Sequence, residues 1–264
     1  MHPESIYGWQ GFRLTVGDVS LGIVPDIGGR ILSLTFKGEE FLYVHPPEQG
    51  KTYDLSKVGD ILSFKKDFGF RLWGGDKTWV APQHQWVYGI PPLDLDCGQY
   101  ALESQGDSAV MTSPVCRETG LRIVRRVRLS SSGEISLTEE LHNETDEPVT
   151  RGIWNVTQVM RPFDAWFPAD LADVRSYHLE DQSLPHHEIP LKFSAGWVKI
   201  PCDSQALFKF GGIPREGKAV IVKPVPSGVI VVSREFDFRK KASYAHKSAF
   251  EVFNSNLFPY GEVE

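Results

Sequence analysis

Cysteine is scarce in this chain of 264 residues, and so are long apolar runs and any surplus of positive charge. The three cysteines, Cys97, Cys116 and Cys202, are odd in number and widely separated. This number and spacing indicate neither a disulfide framework nor a zinc site. We therefore predict small buried thiols in a reducing compartment, and we expect the protein to be cytoplasmic.

No apolar run approaches the roughly 20 residues that a membrane-spanning helix needs. The first residues lack the basic start and apolar core of a secretion signal. The formal net charge is -6, whereas a nucleic-acid partner requires a concentrated basic surface. We therefore expect neither a membrane nor a nucleic-acid partner. One strand-like run is rich in arginine, and we interpret it as a solvated surface: Arg122, Arg125, Arg126 and Arg128.

Long helical patterns are also missing, because no amphipathic periodicity exceeds about two turns. Short segments that alternate polar and apolar residues recur instead at intervals of about 8 to 12 residues, separated by turn residues. This spacing predicts an all-β sandwich or barrel that forms one domain over residues 1–264. The predicted strands are 12–16, 19–24, 30–36, 41–44, 100–104, 109–113, 121–129, 134–142, 149–159, 196–200, 206–210, 219–223, 228–235 and 249–253.

Two long segments are predicted to be loops. Residues 46–66 combine prolines with mixed charges, which is typical of a surface loop with room for one short helical turn. Residues 161–192 contain four prolines, and a loop of this length inside a compact domain is usually a lid or a binding wall. The last residues, 260–264, look like the start of another strand, either at a sheet edge or in a chain that ends early.

The densest group of unusual side chains lies between Phe68 and Trp86. It contains Trp73 and Trp79 with charged, histidine and amide residues, and two adjacent glycines allow a sharp turn or a close approach to a ligand. A pyranose has an apolar face that stacks on aromatic rings and a rim of hydroxyl groups that needs donors and acceptors. The segment therefore predicts a sugar site, although tryptophans at this density are also typical of a protein core.

Four segments, taken in order, resemble the galactose mutarotase-like superfamily, and within it a group of bacterial domains of unassigned function. They are a Gly-Gly-Arg turn in 24–31, the Gly-Gly-Asp-Lys-Thr-Trp run in 74–83, a turn at 143–149 that leads into 153–158, and the terminal 260–264. The resemblance spans almost the whole chain. It implies a β-supersandwich of two large antiparallel sheets packed face to face, with a carbohydrate held on a concave sheet face.

The resemblance also implies which residues bind the sugar. Arg30 would lie beside the ligand if the Gly-Gly-Arg turn opens onto the concave face, although an arginine after a turn is commonly solvated. Asp76 and Lys77 form either a pair within the site or a structural ion pair. The predicted substrate-binding residues are Arg30, Asp76, Lys77, Trp79, Gln83, Trp86, Asn155 and Gln158.

Mutarotases of the superfamily open the sugar ring by general acid–base catalysis, usually with a histidine and a glutamate. This chain has Trp73 where the family has a histidine before the paired glycines, and residues 154–158 contain no histidine where the family has its second. The resemblance leaves a terminal glutamate, Glu262 or Glu264, as a catalytic candidate. His84 is close enough in sequence to supply the acid, although a lone histidine among tryptophans is often structural.

No cofactor and no metal are predicted. His186 and His187 are adjacent in the second long loop, and neighbouring side chains of an extended segment point to opposite sides. No third ligand follows at short spacing, so this pair does not indicate a metal site.

We therefore predict a carbohydrate-binding protein whose partner is a small-molecule sugar. The sequence leaves open whether it also catalyses, and because both family histidines are missing, we predict slow interconversion of the anomers of common aldohexoses. One alternative is an aldose 1-epimerase-like isomerase with a substituted acid–base pair drawn from Glu262 or Glu264, His84 and Lys77. Another is a structural β domain whose tryptophans are all buried.

Overall fold

The computed structural model describes residues 1–177 and 191–264, apart from the side chain of Gln105. Strands account for 48% of the structure and helices for 12%, so the predicted all-β class is confirmed. The chain divides into two compact units, Met1–Val156 and Thr157–Glu264. A single domain over residues 1–264 stays a prediction.

The first unit consists mainly of antiparallel strands. Its strands are β1 (His2–Ile6), β2 (Trp9–Val16), β3 (Val19–Val24), β4 (Arg30–Phe36), β5 (Glu39–Glu40), β6 (Asp76–Ala81), β7 (Ala101–Gln105), β8 (Ser108–Thr112), β9 (Leu121–Leu129), β10 (Ile135–Asn143) and the first part of β11 (Gly152–Met160). One sheet has the order β1-β2-β3-β4-β6-β11, with β5 beside β4, and the other has the order β10-β9-β8-β7. The predicted strand 41–44 does not form as a continuous strand: Leu42 and Val44 are isolated bridge residues, and Val44 pairs with Gly74.

Strand β9 shows why these segments become strands. Its residues alternate between a buried side, with Leu121, Ile123 and Val127, and a more exposed side that includes Arg126. Arg125 falls on the buried side and is 0% exposed, so its interpretation as part of a solvated surface was wrong. The period of two in this strand required an inward side chain at position 125.

The predicted loop 46–66 contains helical structure. Short 3₁₀ turns form at Pro46–Glu48 and Leu55–Lys57, and helix α1 spans Ile61–Phe68. The Asp60 carboxylate caps α1 by accepting hydrogen bonds from the backbone N–H groups of Leu62 and Ser63. The remaining helical segments of the unit are Gln83–Gln85, Val87–Gly89 and α2 (Leu93–Asp96).

The core of the first unit packs α1 and α2 against the first sheet. Trp73, which is 0% exposed, joins Trp9, Leu32 and Phe68 in this cluster. A Cβ atom at Gly74, whose φ is +99°, would lie 2.1 Å from the carbonyl oxygen of Tyr43. The glycine is therefore required by a close approach of two backbone segments.

The second unit also has two antiparallel sheets. Its strands are the end of β11, β12 (Phe163–Pro168), β13 (Val174–Ser176), β14 (Lys192–Ser194), β15 (Trp197–Cys202), β16 (Phe208–Gly212), β17 (Lys218–Val225), β18 (Gly228–Glu235), β19 (Phe250–Asn254) and β20 (Tyr260–Val263). The orders are β11-β20-β19-β16-β13 and β14-β15-β12-β17-β18. Short 3₁₀ turns form at Leu171–Asp173 and Ala245–Lys247. The sheets pack together through Phe167 and Phe250, whose ring centroids are 4.2 Å apart.

Strand β12 contradicts the prediction of a loop over 161–192. It pairs with β15 on one side and β17 on the other, and its Phe163, Ala165 and Phe167 are buried. The strand was not predicted because prolines are typical of loops. Pro162 precedes the strand and Pro168 ends it, and at these positions a missing N–H group is tolerated. Strand β20 pairs with both β11 and β19, so the predicted terminal strand exists but is not an edge strand.

Two expectations from composition can be compared with the structure. Cys97, Cys116 and Cys202 are all free and buried, as predicted. None of the helices in the described ranges has both the length and the apolar character needed to cross a membrane.

Candidate functional site

Strand β6 places its side chains alternately on two sides of the first sheet. Lys77 and Trp79 lie on one side, where Trp79 also contacts Trp86 and Trp154 at ring-centroid distances of 5.2 and 5.3 Å. The Lys77 Nζ atom is 3.9 Å from the Trp79 ring centroid and 5.7 Å from that of Phe70. We refer to Phe70, Lys77, Trp79, Trp86 and Trp154 as the aromatic–lysine cluster.

The members of this cluster differ greatly in exposure. Trp79 and Trp154 are each 8% exposed and Lys77 is 2% exposed, whereas Phe70 is 45% exposed. Phe70 stands edge-on to Trp79, with 6.2 Å between ring centroids. The tryptophans are thus a packed layer, and Phe70 is the member whose ring is open to a ligand.

Two further predicted site residues lie next to the cluster in sequence. Gln83 and His84 are exposed on the 3₁₀ turn that leads into Trp86. The Trp86 indole N–H donates to the carbonyl oxygen of Val80 at 2.7 Å, which ties the end of this turn to β6. Their roles in binding and catalysis stay predictions.

On the other side of β6, Asp76 belongs to a buried network with Arg125. The Arg125 guanidinium donates to the Asp76 carboxylate, to the Asp76 carbonyl oxygen at 3.1 Å, to that of Gly29 at 2.7 Å, and to Glu139 Oε1 at 3.1 Å. Asn155 Nδ2 donates to Asp76 Oδ1 and Glu139 Oε1, each at 3.2 Å. We call Asp76, Arg125, Glu139 and Asn155 the Arg125 network.

The side chains of Asp76 and Lys77 lie on opposite sides of β6. Adjacent strand residues point to opposite sides, and the carboxylate of Asp76 is paired with Arg125. Asn155 shares this inward position, since it is hydrogen-bonded to the same carboxylate. Arg125 and Glu139 were missed as partners, although the buried side of β9 already marked position 125 in the sequence.

Arg30 is fully buried in a second ion pair. Its Nη2 donates to Asp96 Oδ1 at 2.7 Å, its Nε to the Ile27 carbonyl oxygen at 2.9 Å, and its Nη1 to that of Gly74 at 3.1 Å. The indole N–H of Trp79 donates to the same Asp96 Oδ1 at 2.8 Å. Asp96 therefore connects two predicted site residues. Asp96 was not predicted as a partner for either residue.

In the second unit, Gln158 and Glu262 face each other on β11 and β20. The Gln158 side-chain amide donates to Glu262 Oε1 at 2.6 Å. Gln158 is 0% exposed, and its Oε1 atom has no hydrogen-bond partner among the residues that the structure describes. A buried polar atom of this kind marks a place where a ligand or a water would be stabilised.

Four more titratable residues meet on this face of the second unit. Strand register places Lys209 opposite Phe253, Phe253 opposite Glu262, and Glu251 opposite Gly211, so alternation puts these side chains on one side. Lys209 Nζ lies 2.7 Å from Oε2 of both Glu251 and Glu264. His246 Nδ1 lies 3.3 Å from Glu251 Oε1. We call Lys209, His246, Glu251 and Glu264 the Lys209 cluster.

Burial and neighbouring charges shift the pKa values of Glu264 and Glu251 in opposite directions. Burial raises the pKa of Glu264 well above its usual range, and the nearby Glu262 and Glu251 raise it further against the opposing effect of Lys209. Burial also disfavours the ionised form of Glu251, but this effect is outweighed by the hydrogen bond from His246, the Lys209 charge and the hydrogen bonds from Glu264 and Lys209, which lower the pKa to about 2. The Lys209 pKa is raised, because the two carboxyl groups outweigh its own burial.

Metal binding finds no support in the ranges 1–177 and 191–264, where no group of three or more His, Cys, Asp or Glu residues is arranged to hold an ion. His186 and His187 lie outside the described residues.

Some of the predicted site residues come together. Within the first unit, Arg30 and Trp79 both contact Asp96, and Asp76 contacts Asn155. Within the second unit, Gln158 meets Glu262.

No protein-family model matches the chain, and no curated protein matches its sequence. Among solved structures, the Slr1438 protein from Synechocystis sp. PCC 6803 is similar, with a TM-score of 0.58, 14% identity, and coverage of 100% of this chain and 88% of that chain. This similarity shows the fold alone. A 4-alpha-glucanotransferase from Thermococcus litoralis matches with a TM-score of 0.39, 11% identity, and coverage of 100% of this chain and 41% of that chain, which is too low to guide an argument.

Proposed function

We propose that the protein binds a carbohydrate at the aromatic–lysine cluster of the first unit. The observation that carries this proposal is the exposed ring of Phe70, backed by the packed ring of Trp79 and lying 5.7 Å from the Lys77 ammonium. A rigid, exposed aromatic ring is a suitable platform for the apolar face of a pyranose. The exposed Gln83 and His84 supply the donors and acceptors that sugar hydroxyls require.

The charge beside the platform does not select one class of sugar. The Lys77 ammonium lies 5.7 Å from the Phe70 ring centroid but is 2% exposed, so neutral sugars and sugar phosphates are both candidate ligands. Arg30 and Asp76 contribute indirectly in this proposal, since Arg30 holds Trp79 through Asp96, and Asp76 fixes β6 through Arg125.

Tryptophan fluorescence, titrated with a panel of free sugars and sugar phosphates, tests the proposal. A ligand on Phe70 lies close to Trp79, so binding should shift the emission. Phe70→Ala should weaken binding at least tenfold with little loss of stability, because this ring is half exposed. Phe36→Ala is the matched control, since Phe36 is 39% exposed on β4 of the same unit. An unchanged emission with every sugar, or equal effects of the two variants, would contradict sugar binding here.

Trp79→Ala separates a platform from a core residue. With 8% exposure and a buried hydrogen bond to Asp96, Trp79 should behave as core, and its truncation should cost about 3–5 kcal/mol of unfolding free energy. Loss of sugar affinity without loss of stability would instead identify Trp79 as the platform.

A second candidate function is acid–base isomerisation of a sugar, favoured by the Lys209 cluster. Ring opening needs one group that donates a proton and another that accepts one. Glu264 has a raised pKa and Glu251 a lowered pKa, and two carboxyl groups whose pKa values are pushed apart are typical of an acid and its base. Glu262 lies on the same face, hydrogen-bonded to Gln158.

Polarimetry of glucose and galactose anomers distinguishes the two functions. The binding proposal expects a sugar-dependent fluorescence change and an interconversion rate close to that of the uncatalysed reaction. Rapid interconversion that is abolished by Glu264→Gln or Glu262→Gln would support the isomerase. His84→Ala tests the remaining acid candidate, and if only this variant is inactive, the acid belongs to the first unit.

A further inference from the structure

In the described ranges, β18 is an edge strand of the second unit. Strand β18 ends the order β14-β15-β12-β17-β18, so among the described residues no strand pairs with its far side. Val229 and Val231 on this strand are 56% and 60% exposed, whereas Ile230 between them is 6% exposed. The strand therefore presents both an unpaired backbone and two apolar side chains to solvent.

Proline fixes which backbone groups are unpaired. Pro224 stands opposite Val229 in the β17–β18 hairpin, and because proline has no N–H group, this pair cannot exchange two backbone hydrogen bonds. Antiparallel pairs alternate between bonded and non-bonded. The N–H and C=O groups of Val229, Val231 and Ser233 therefore point away from β17, toward the open edge.

This edge also lacks the usual protection against another strand. Exposed edges normally carry charged residues, prolines or bulges that prevent pairing. From Gly228 to Ser233 the strand has no charged residue and no proline. Its outward neighbours on β17 are Val222, opposite Val231, and Pro224, opposite Val229, so the apolar surface continues across the hairpin.

We propose that β18 pairs antiparallel with β18 of a second copy of this chain across a two-fold axis. A two-fold axis perpendicular to the sheet keeps each face on its own side and brings identical, unpaired groups together. The register that joins the open groups places Val231 opposite Val231 and Val229 opposite Ser233. It also places Arg234 opposite the uncharged Gly228, so no like charges meet.

The two neighbouring registers are less favourable. A shift that moves Val229 opposite Glu235 would bury an apolar side chain against a charge. The opposite shift sets Val229 opposite Val231 but leaves Ser233 opposite Ser227, which lies in the turn before β18, so fewer open residues pair with one another. The occupant that fits best is therefore the same strand in the register centred on Val231. This inference concerns the second unit and does not rest on the proposed carbohydrate site.

Cysteine cross-linking tests both the pairing and its register. In a bonded antiparallel pair the two Cα atoms are about 5.5 Å apart, which is within disulfide range. Val231→Cys should therefore form a disulfide-linked dimer under mild oxidation, seen on a non-reducing gel. The native cysteines should not compete, because all three are buried.

Val229→Cys is the matched control, because Val229 is as exposed as Val231 on the same strand. In the proposed register it is four residues, about 13 Å, from its own copy, so it should remain monomeric. Equal cross-linking of both variants, or none in either, would overturn the proposal.

Sedimentation equilibrium tests the association without cross-linking. The apparent mass should rise with concentration from 29.7 kDa toward twice that value, with a dissociation constant in the micromolar range of small interfaces. Val231→Pro removes an N–H group that faces the open edge and should weaken association at least tenfold, whereas Val231→Thr retains the group and should associate like the parent chain. Circular dichroism confirms that both variants are folded. A constant monomer mass up to roughly 100 µM, or unchanged association of Val231→Pro, would refute the pairing.

Discussion

The buried ion clusters of the two units differ in how completely their polar atoms are satisfied. In the first unit, Arg125 donates to two carboxylates and two carbonyl oxygens, and Asn155 donates to both carboxylates. In the second unit, one lysine is shared between Glu251 and Glu264. In the described part of the chain, Gln158 Oε1 is buried without a hydrogen-bond partner, and Glu251 Oε1 has an ion-pair contact with His246 at 3.3 Å but no hydrogen bond.

This difference separates a structural role from a chemical one. Arginine has five donors in a fixed geometry and does not lose its proton, so the Arg125 network has one stable arrangement that joins β6 to β9. In the Lys209 cluster two carboxyl groups share one lysine, and burial together with the neighbouring carboxylates raises the pKa of one of them, Glu264. A cluster with a movable proton is a better candidate for acid–base chemistry than a fully satisfied one.

The largest effect should come from breaking the satisfied network. Arg125→Met leaves two buried carboxylates without a cation and should lower the free energy of unfolding by about 3–5 kcal/mol, measured by urea denaturation. Arg126→Met is the matched control one residue away, since its ion pair with Glu140 is exposed, and it should cost less than about 1 kcal/mol. Equal losses in the two variants would show that the Arg125 network stabilises the protein no more than an exposed ion pair does.

A smaller and pH-dependent effect is expected in the second unit. Lys209→Met should lower the free energy of unfolding by about 1–3 kcal/mol at about pH 8. The loss should be smaller at about pH 5, because without the lysine both carboxyl groups have raised pKa values and protonate more readily in the folded state. Arg126→Met should show little change between the two pH values, because its carboxylate partner Glu140 is exposed to solvent. A pH-independent loss in Lys209→Met would show that its carboxyl groups do not take up protons.

The smallest effect should be a change in how steeply the free energy of unfolding varies with pH. A carboxyl group whose folded pKa lies above its unfolded value of about 4.5 contributes stability that is lost as the pH rises above that value. Glu264→Gln should therefore flatten the decline of stability above about pH 5, by less than about 1.4 kcal/mol per pH unit because one group exchanges one proton.

The free energy of unfolding at acidic pH should depend on a different residue, Glu251. Glu251 has a pKa lowered to about 2, so its contribution is lost as the pH falls from about 4.5 toward 2, and this loss should persist in Glu264→Gln. Glu235→Gln is the control for both arms, because Glu235 has a side chain 76% exposed. A slope that is unchanged in Glu264→Gln would mean that Glu264 is ionised throughout.

Much of the strand pattern could be predicted because it is local. Strands β9 and β18 span the predicted ranges 121–129 and 228–235, since alternating apolar residues and turn residues are sufficient to define them. Strand β12 was missed because prolines at its ends resemble loop signals, and only pairing with two neighbours makes the segment a strand. Helix α1 was underestimated, although Asp60 and Gly69 mark its two ends.

The candidate site was less predictable, because it depends on partners distant in sequence. The sequence brought attention to Asp76, Lys77 and Trp79, but it did not show that Asp76 and Lys77 face opposite sides or that Asp76 pairs with a residue 49 positions away. No local signal marks Lys209 or Glu251. Their meeting with Glu264 requires β16, β19 and β20 to lie side by side in one register.

The sequence by itself determined the all-β class, the buried free thiols and the concentration of aromatic residues around Trp79. These properties follow from composition and from the period of two along each strand. Only the tertiary structure decided which polar groups are satisfied, which carboxyl group has a raised pKa, and which aromatic ring remains exposed. The physical reason is that burial and pairing of charges depend on strand order and register, which join residues far apart in the chain.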